Sequence, residues 1–182
     1  MLFNICYDAM ETFTELKPLV PNPGFKSQRR MKLAGLTDDM IDQPIVSIVN
    51  RLNALPFCFT LQSCFGHFLH QNQSDQHNLE PLPKDSDIGK IEYRIAYLAF
   101  ALDDSPAGAA FLQSLQGILA LDKENIQLGC AEWFWQQQIN SYALQVEPSR
   151  LKNQDRVMLD YQEALTVESA RNRFFDAIDA LL

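Results

Sequence analysis

No apolar run in this chain approaches the ~20 consecutive residues that cross a bilayer. The longest, around 95–102, falls far short of that length, so no transmembrane helix and no membrane partner are expected. The first ten residues lack a basic region and a small-residue cleavage site, and Asp8 sits among them, which argues against a secretory signal. Cysteine is sparse: Cys6, Cys58, Cys64 and Cys130 lie far apart, the pattern of reduced thiols rather than of a disulfide framework. A cytoplasmic protein is expected. Positive charge is in deficit as well, with 15 Lys and Arg against 23 Asp and Glu and a net charge of -8. That balance disfavours a surface built as a whole to attract a phosphate backbone. Repeats and low-complexity linkers are missing too, so tethered domains and solenoids are not indicated.

What is present is ordinary globular composition, 47% hydrophobic and 21% charged, in 182 residues. A chain of that length buries roughly two-thirds of its unfolded surface, enough for one core. The basic residues are clustered: Lys26, Arg29, Arg30 and Lys32 form one group, and Arg150, Lys152 and Arg156 another. Each reads by default as a solvated face, and the first is the candidate contact to RNA, against the acidic balance.

Helical spacing of Leu2, Ile5, Ala9, Phe13 and Leu16 predicts an N-terminal helix over 2–17, stopped by Pro18, Pro21 and Pro23. The stretch 25–36 reads as a short helix or as irregular chain. Pro44, then Ile45, Ile48, Val49 and Leu52, predicts a helix over 44–55. The aromatic run 57–61 reads as a buried strand, and the polar stretch 70–89 as a long loop. A central strand is expected over 91–102, in the same sheet as 57–61, and a helix over 106–121 capped by Ser105. Two strands, or one bent strand, are expected over 126–135 and 139–147, with Trp133 and Trp135 on one face and Phe134 on the other. Thr166 reads as the cap of a last helix over 166–182. The expected architecture is α/β (α+β-like): a single domain over 1–182 with a mixed β-sheet covered by helices.

Chemistry concentrates in Ser63-Cys64-Phe65-Gly66-His67, at the end of the first expected strand. Gly66 permits positive φ and close backbone approach by a ligand, and successive N–H groups in such a turn suit an anion. A tight structural turn around a buried cysteine is the plainer reading. Cys64 and His67 are the candidate catalytic pair, thiol and base, although spacing by three does not establish contact. Every histidine, His67, His70 and His77, lies close behind Cys64, a ligand set that zinc accepts. Cys-x-x-His-x-x-His is not a closed-site spacing, however, and no metal is expected. Ser63, Gly66, Asn140 and Tyr142 are the candidate ligand-binding residues, the last two as polar handles on a strand facing the turn.

The segment 26–67 places basic residues ahead of a helix and then Thr60-x-x-Ser63-Cys64-x-Gly66 after a strand. In this it resembles the wybutosine-synthesis methyltransferases that act third in that tRNA-modification pathway, whose signature is Thr-Ser-Ser-Cys-Ser-Gly-Arg. The chain has Gln62, Phe65 and His67 where the family has serine, serine and arginine. The resemblance implies a cousin that keeps the turn as a small-ligand or nucleotide site with altered chemistry. It also implies S-adenosylmethionine as cofactor. A non-enzymatic binding protein with a structural turn is the alternative, and a metal-dependent or thiol enzyme the third reading.

Overall fold

Among the described residues, seven strands divide into two sheets whose strands are all antiparallel to their neighbours. The computed structural model describes residues 15–71, 73, 75, 77–84, 88–151 and 154–182, without the side chain of Trp133. The larger sheet has the order β1 (Cys58–Cys64), β4 (Ala96–Leu102), β6 (Ser141–Val146), β5 (Ile126–Gly129). The smaller has the order β2 (His67–Leu69), β3 (Lys90–Arg94), β7 (Arg156–Asp160). Helices are α1 (Phe25–Ala34), α2 (Val46–Ala54), α3 (Pro106–Ile118), α4 (Glu132–Gln137) and α5 (Tyr161–Leu181). The expected class holds as a single α+β domain, with two antiparallel sheets where one mixed sheet was expected.

The two sheets follow from a break in what reads as one strand over 91–102. Ile91 and Tyr93 are buried in the small sheet, whereas Ala96, Leu98, Phe100 and Leu102 are buried in the large one, so the inward parity changes between them. The Tyr93 hydroxyl holds the break: it donates to the Val146 carbonyl at 2.7 Å and accepts from Ala96 N at 2.9 Å. Ile95 N donates across to the Asp155 carbonyl at 3.2 Å. The expectation of one central strand is thereby corrected to two strands in different sheets.

Alternation then decides what each face of the large sheet carries. Leu98, Phe100, Leu102, Tyr142, Leu144 and Val146 point toward the main core, into which α2, α3 and α5 contribute Val49, Leu52, Leu115, Val167 and Phe174. Tyr97, Ala99, Ala143, Gln145 and Gln127 occupy the opposite, open face. One end of that face is covered by α1, whose Phe25 ring lies 5.3 Å from Phe59 and packs with Ala101.

The helix over 106–121 forms as α3 and a closing 3-10 turn (Leu119–Leu121), and Ser105 accepts from Gly108 N as an N-cap should. The expected helix over 44–55 begins as a 3-10 turn (Gln43–Ile45) and continues as α2. Two corrections concern boundaries and type. The last helix starts at Tyr161 after Asp160, because β7 runs straight into it, and the Thr166 hydroxyl donates back to the Gln162 carbonyl inside the helix rather than capping it. The aromatic stretch Phe134 and Trp135 is helical, not extended. In α4, Trp135 packs edge-on to Tyr142 at 6.0 Å while Phe134 reaches the open face. The expected N-terminal helix lies outside the described residues, apart from 15–17, which have no regular structure.

Candidate functional site

A cavity of about 520 Å³ opens on the uncovered face of the large sheet, where it meets the small sheet. Its floor is β4 and β6. Alternation puts Tyr97, Ala143 and Gln145 there, and the small Ala143 side chain leaves space that a larger residue would fill. Phe134 and Glu132 from α4 form one wall. The other end is charged: Arg94 and Arg156 are paired across β3 and β7, with Asp155 beside them and the buried Glu147 behind. Glu147 is satisfied, accepting from Gln145 Nε2 at 2.7 Å and from Gln154 N at 3.2 Å. Gln62 and Phe134 also border a neighbouring groove that continues to Gln28, Met31 and Lys32 of α1.

Cys64 reaches this cavity through a β-bulge. Thr60 pairs with Phe100 but Gln62 with Ala99, so one extra residue in β1 re-phases the strand. Gln62 and Cys64, which pairs with Tyr97, thereby join the open face, while Ser63 pairs with Leu98 on the helix-covered side. The chain then crosses from one sheet to the other at Gly66, whose φ is +88°. A Cβ there would stand 2.8 Å from Ala96 Cβ and 3.1 Å from Ala96 N, so the turn requires glycine on both counts. The Gly66 carbonyl accepts from the buried Arg171 guanidinium at 3.2 Å, and that group lies against the rings of Phe65 and Phe68.

The crossing brings Cys64 and His67 onto one wall of the cavity and sets them beside Asp42, which lies outside the lining and which nothing local in the sequence singles out. Asp42 Oδ2 accepts from Phe65 N at 2.7 Å and stands 3.7 Å from His67 Nε2. One ligand atom each from Asp42, Cys64 and His67 lies within 4.8 Å of the others. His67 is buried, with Nδ1 3.3 Å from the Asn78 carbonyl and its ring 5.9 Å from that of His77. Burial, assisted by the Asp42 charge, pushes the Cys64 thiol up to about 11 against the opposing N–H bond from Gly66. At neutral pH the thiol is protonated and is no ready nucleophile.

The remaining candidates have other partners. Asn140, at φ +60°, bonds both the N–H and the carbonyl of Val20, and the Tyr142 hydroxyl donates to the Lys17 carbonyl. Both residues anchor the segment 17–20 on the far side of the strand from the cavity, which β6 lines with Ala143 and Gln145 instead. His70 stands outside the lining and His77 within it. In the basic group, Arg29 donates to the carbonyls of Cys58, Asn53 and Leu55, while Lys26, Arg30 and Lys32 are exposed. Among the described residues no disulfide joins Cys58, Cys64 or Cys130, and Cys6 lies outside them. Among the described residues no helix is long and apolar enough to cross a membrane.

No protein-family model matches the chain, and no curated protein does. Among solved structures it is similar to PH1069 from Pyrococcus horikoshii, at 12% identity over 85% of this chain and 91% of that one, with a TM-score of 0.42.

Proposed function

We propose that the open-face cavity binds a nucleoside carrying an amino-acid group, S-adenosylmethionine in the first instance, and that the chain is a divergent relative of the wybutosine-synthesis methyltransferases. The observation that supports this reading is the division of the lining into an aromatic part, Tyr97 and Phe134, and a part with charges of both signs, Arg94, Arg156, Asp155 and Glu147. A purine gains from stacking on aromatic faces, a carboxylate from a guanidinium fork, and an ammonium or sulfonium from nearby carboxylates. A cavity of about 520 Å³ falls within the range of small-molecule sites. The groove running from Gln62 and Phe134 toward α1 is the route by which a second substrate would approach.

The test is thermal and calorimetric titration of the full chain with S-adenosylmethionine, its demethylated product, adenosine and methionine. The expected result is stabilisation by the two whole cofactors, about 2.7 kcal/mol at 100 times the dissociation constant, and weaker effects from the fragments. Arg156→Gln and Tyr97→Ala should each weaken binding of the whole cofactor. Absence of any shift with all four compounds would reject the reading and leave a binding protein with a structural turn.

A further inference from the structure

We infer that Asp42, Cys64 and His67 form a binding site for a zinc-class divalent cation, with one coordination position open to the cavity. Three separate segments supply the donors: the loop ahead of α2, the end of β1 and the start of β2. Carboxylate, thiolate and imidazole are all zinc ligands, and three protein ligands plus an open position is the arrangement of reactive rather than purely structural zinc sites. Ligand atoms around a tetrahedral zinc stand about 3.5 Å apart. His67 Nε2 and Asp42 Oδ2 are 3.7 Å apart, and all three donor atoms fall within 4.8 Å, so small side-chain adjustments close the set.

The surroundings of each donor favour a cation over a plain turn. The Asn78 carbonyl is only an acceptor, so its contact with His67 Nδ1 puts the imidazole proton on that nitrogen. Nε2 is then the ring atom that faces the Asp42 carboxylate oxygen, 3.7 Å away, so the pair is arranged to hold a proton or a metal cation between them. Backbone carbonyls on the far nitrogen of a ligating histidine, and hydrogen bonds to ligating carboxylates, are the usual supports of metal donors. Here Phe65 N supports Asp42, and Gly66 N donates to Cys64 Sγ at 3.3 Å. On binding, the S–H bond breaks, its proton passes to solvent and a sulfur–metal bond forms; the imidazole ligates in its neutral form, any proton on Nε2 passing to solvent, and nothing is oxidised or reduced. The site stands apart from the nucleoside reading, since no donor depends on that ligand.

The experiment is titration of the metal-stripped full chain with cobalt(II), followed by displacement with zinc. One equivalent of cobalt should produce a thiolate-to-cobalt charge-transfer band that zinc abolishes. Cys64→Ser should remove the band, Cys130→Ser should keep it, and His67→Gln should weaken zinc by more than the ~100-fold upper range seen for losing a supporting contact. Circular dichroism of each variant separates loss of a donor from loss of fold. Should Cys64→Ser fail to fold, His67→Gln and Asp42→Asn, read by competition with a zinc chelator, carry the same decision. A folded wild-type chain without the band, a band that survives Cys64→Ser, or zinc affinity unchanged in His67→Gln would each overturn the site. Nucleoside titration enters none of these readouts, so failure here and failure of the cofactor reading are distinguishable.

Discussion

The two faces of the large sheet are made by the same strands and built on opposite rules. Toward the helices β4 and β6 present Leu98, Phe100, Leu102, Tyr142, Leu144 and Val146; on the open face they present Tyr97, Ala99, Ala143 and Gln145. One face buries large apolar area, and on the other the small Ala143 leaves a space open. Period-two alternation delivers both from one stretch of chain, so neighbouring positions carry stability and binding separately. The two faces differ most at Leu144 and Ala143. Leu144→Ala should destabilise the fold by about 2–5 kcal/mol through an unfilled core cavity, measured by urea unfolding. Ala143→Val should change stability by less than about 1 kcal/mol yet abolish the thermal shift with S-adenosylmethionine. Equal destabilisation by both would mean that the open face is core.

The crossing at Gly66 is where the two faces are joined, and Gly66→Ala should cost about 2–4 kcal/mol, from a side chain at φ +88° and from collision with Ala96. Unfolding titration reads it directly. A cost under about 1 kcal/mol would show that the turn yields, and with it the placement of Cys64 and His67.

Much of this frame is legible before any coordinates. Ser105 and Pro106 announce α3, the stripe Ile48, Val49 and Leu52 announces α2, and the bounded aromatic run announces β1, because caps, periodicity and short apolar runs are local signals. The site is legible in part: its neighbours in sequence single out Gly66, and it does take positive φ. The rest depends on convergence that no local pattern encodes. Asp42 reads as a residue ahead of a helix, and only the return of the chain at Phe65 gives its carboxylate a partner. The bulge at Leu61 reverses which of Ser63 and Cys64 faces the cavity, and Asn140 and Tyr142 hold the segment 17–20, which is distant in sequence. Aromatic propensity placed Trp133 to Trp135 in a strand, whereas packing of Trp135 on Tyr142 accompanies a helix there. The break at 95 left one trace, the change of buried parity after Tyr93, and the unpunctuated apolar run conceals it.

Strand β1 makes the helix-covered side sensitive to pH, because Cys58 lies on it. Burial pushes its thiol from the ordinary value of 9.0 up to about 12, with Arg29 opposing weakly. The folded state therefore holds this proton more tightly than the unfolded chain. Its contribution is complete below about pH 9 and is lost as pH rises toward 12, with about 1.4 kcal/mol gone at pH 10. Urea unfolding from pH 8 to pH 10.5 should show that decline, and Cys58→Ala should flatten it. A slope unchanged in Cys58→Ala would assign the alkaline loss to other groups.

The smallest effect is expected at the outward cations of α1, which covers one end of the open face. Its hold on the sheet comes from Phe25 against Phe59 and from Arg29, whose guanidinium satisfies the carbonyls at the end of α2 and the start of β1. Those carbonyls would lose charge-assisted bonds in Arg29→Gln, with an expected cost of about 1.5–3 kcal/mol. Lys26, Arg30 and Lys32 share the helix and the charge but are exposed. Replacing all three by glutamine should therefore leave unfolding free energy within about 0.5 kcal/mol of the starting chain. The contrast between one half-buried arginine and three outward cations tests whether α1 is held by packing and directed bonds or by its net charge. A triple variant as destabilised as Arg29→Gln would favour charge, and α1 would then be a salt-sensitive cover over that end of the sheet rather than a fixed one.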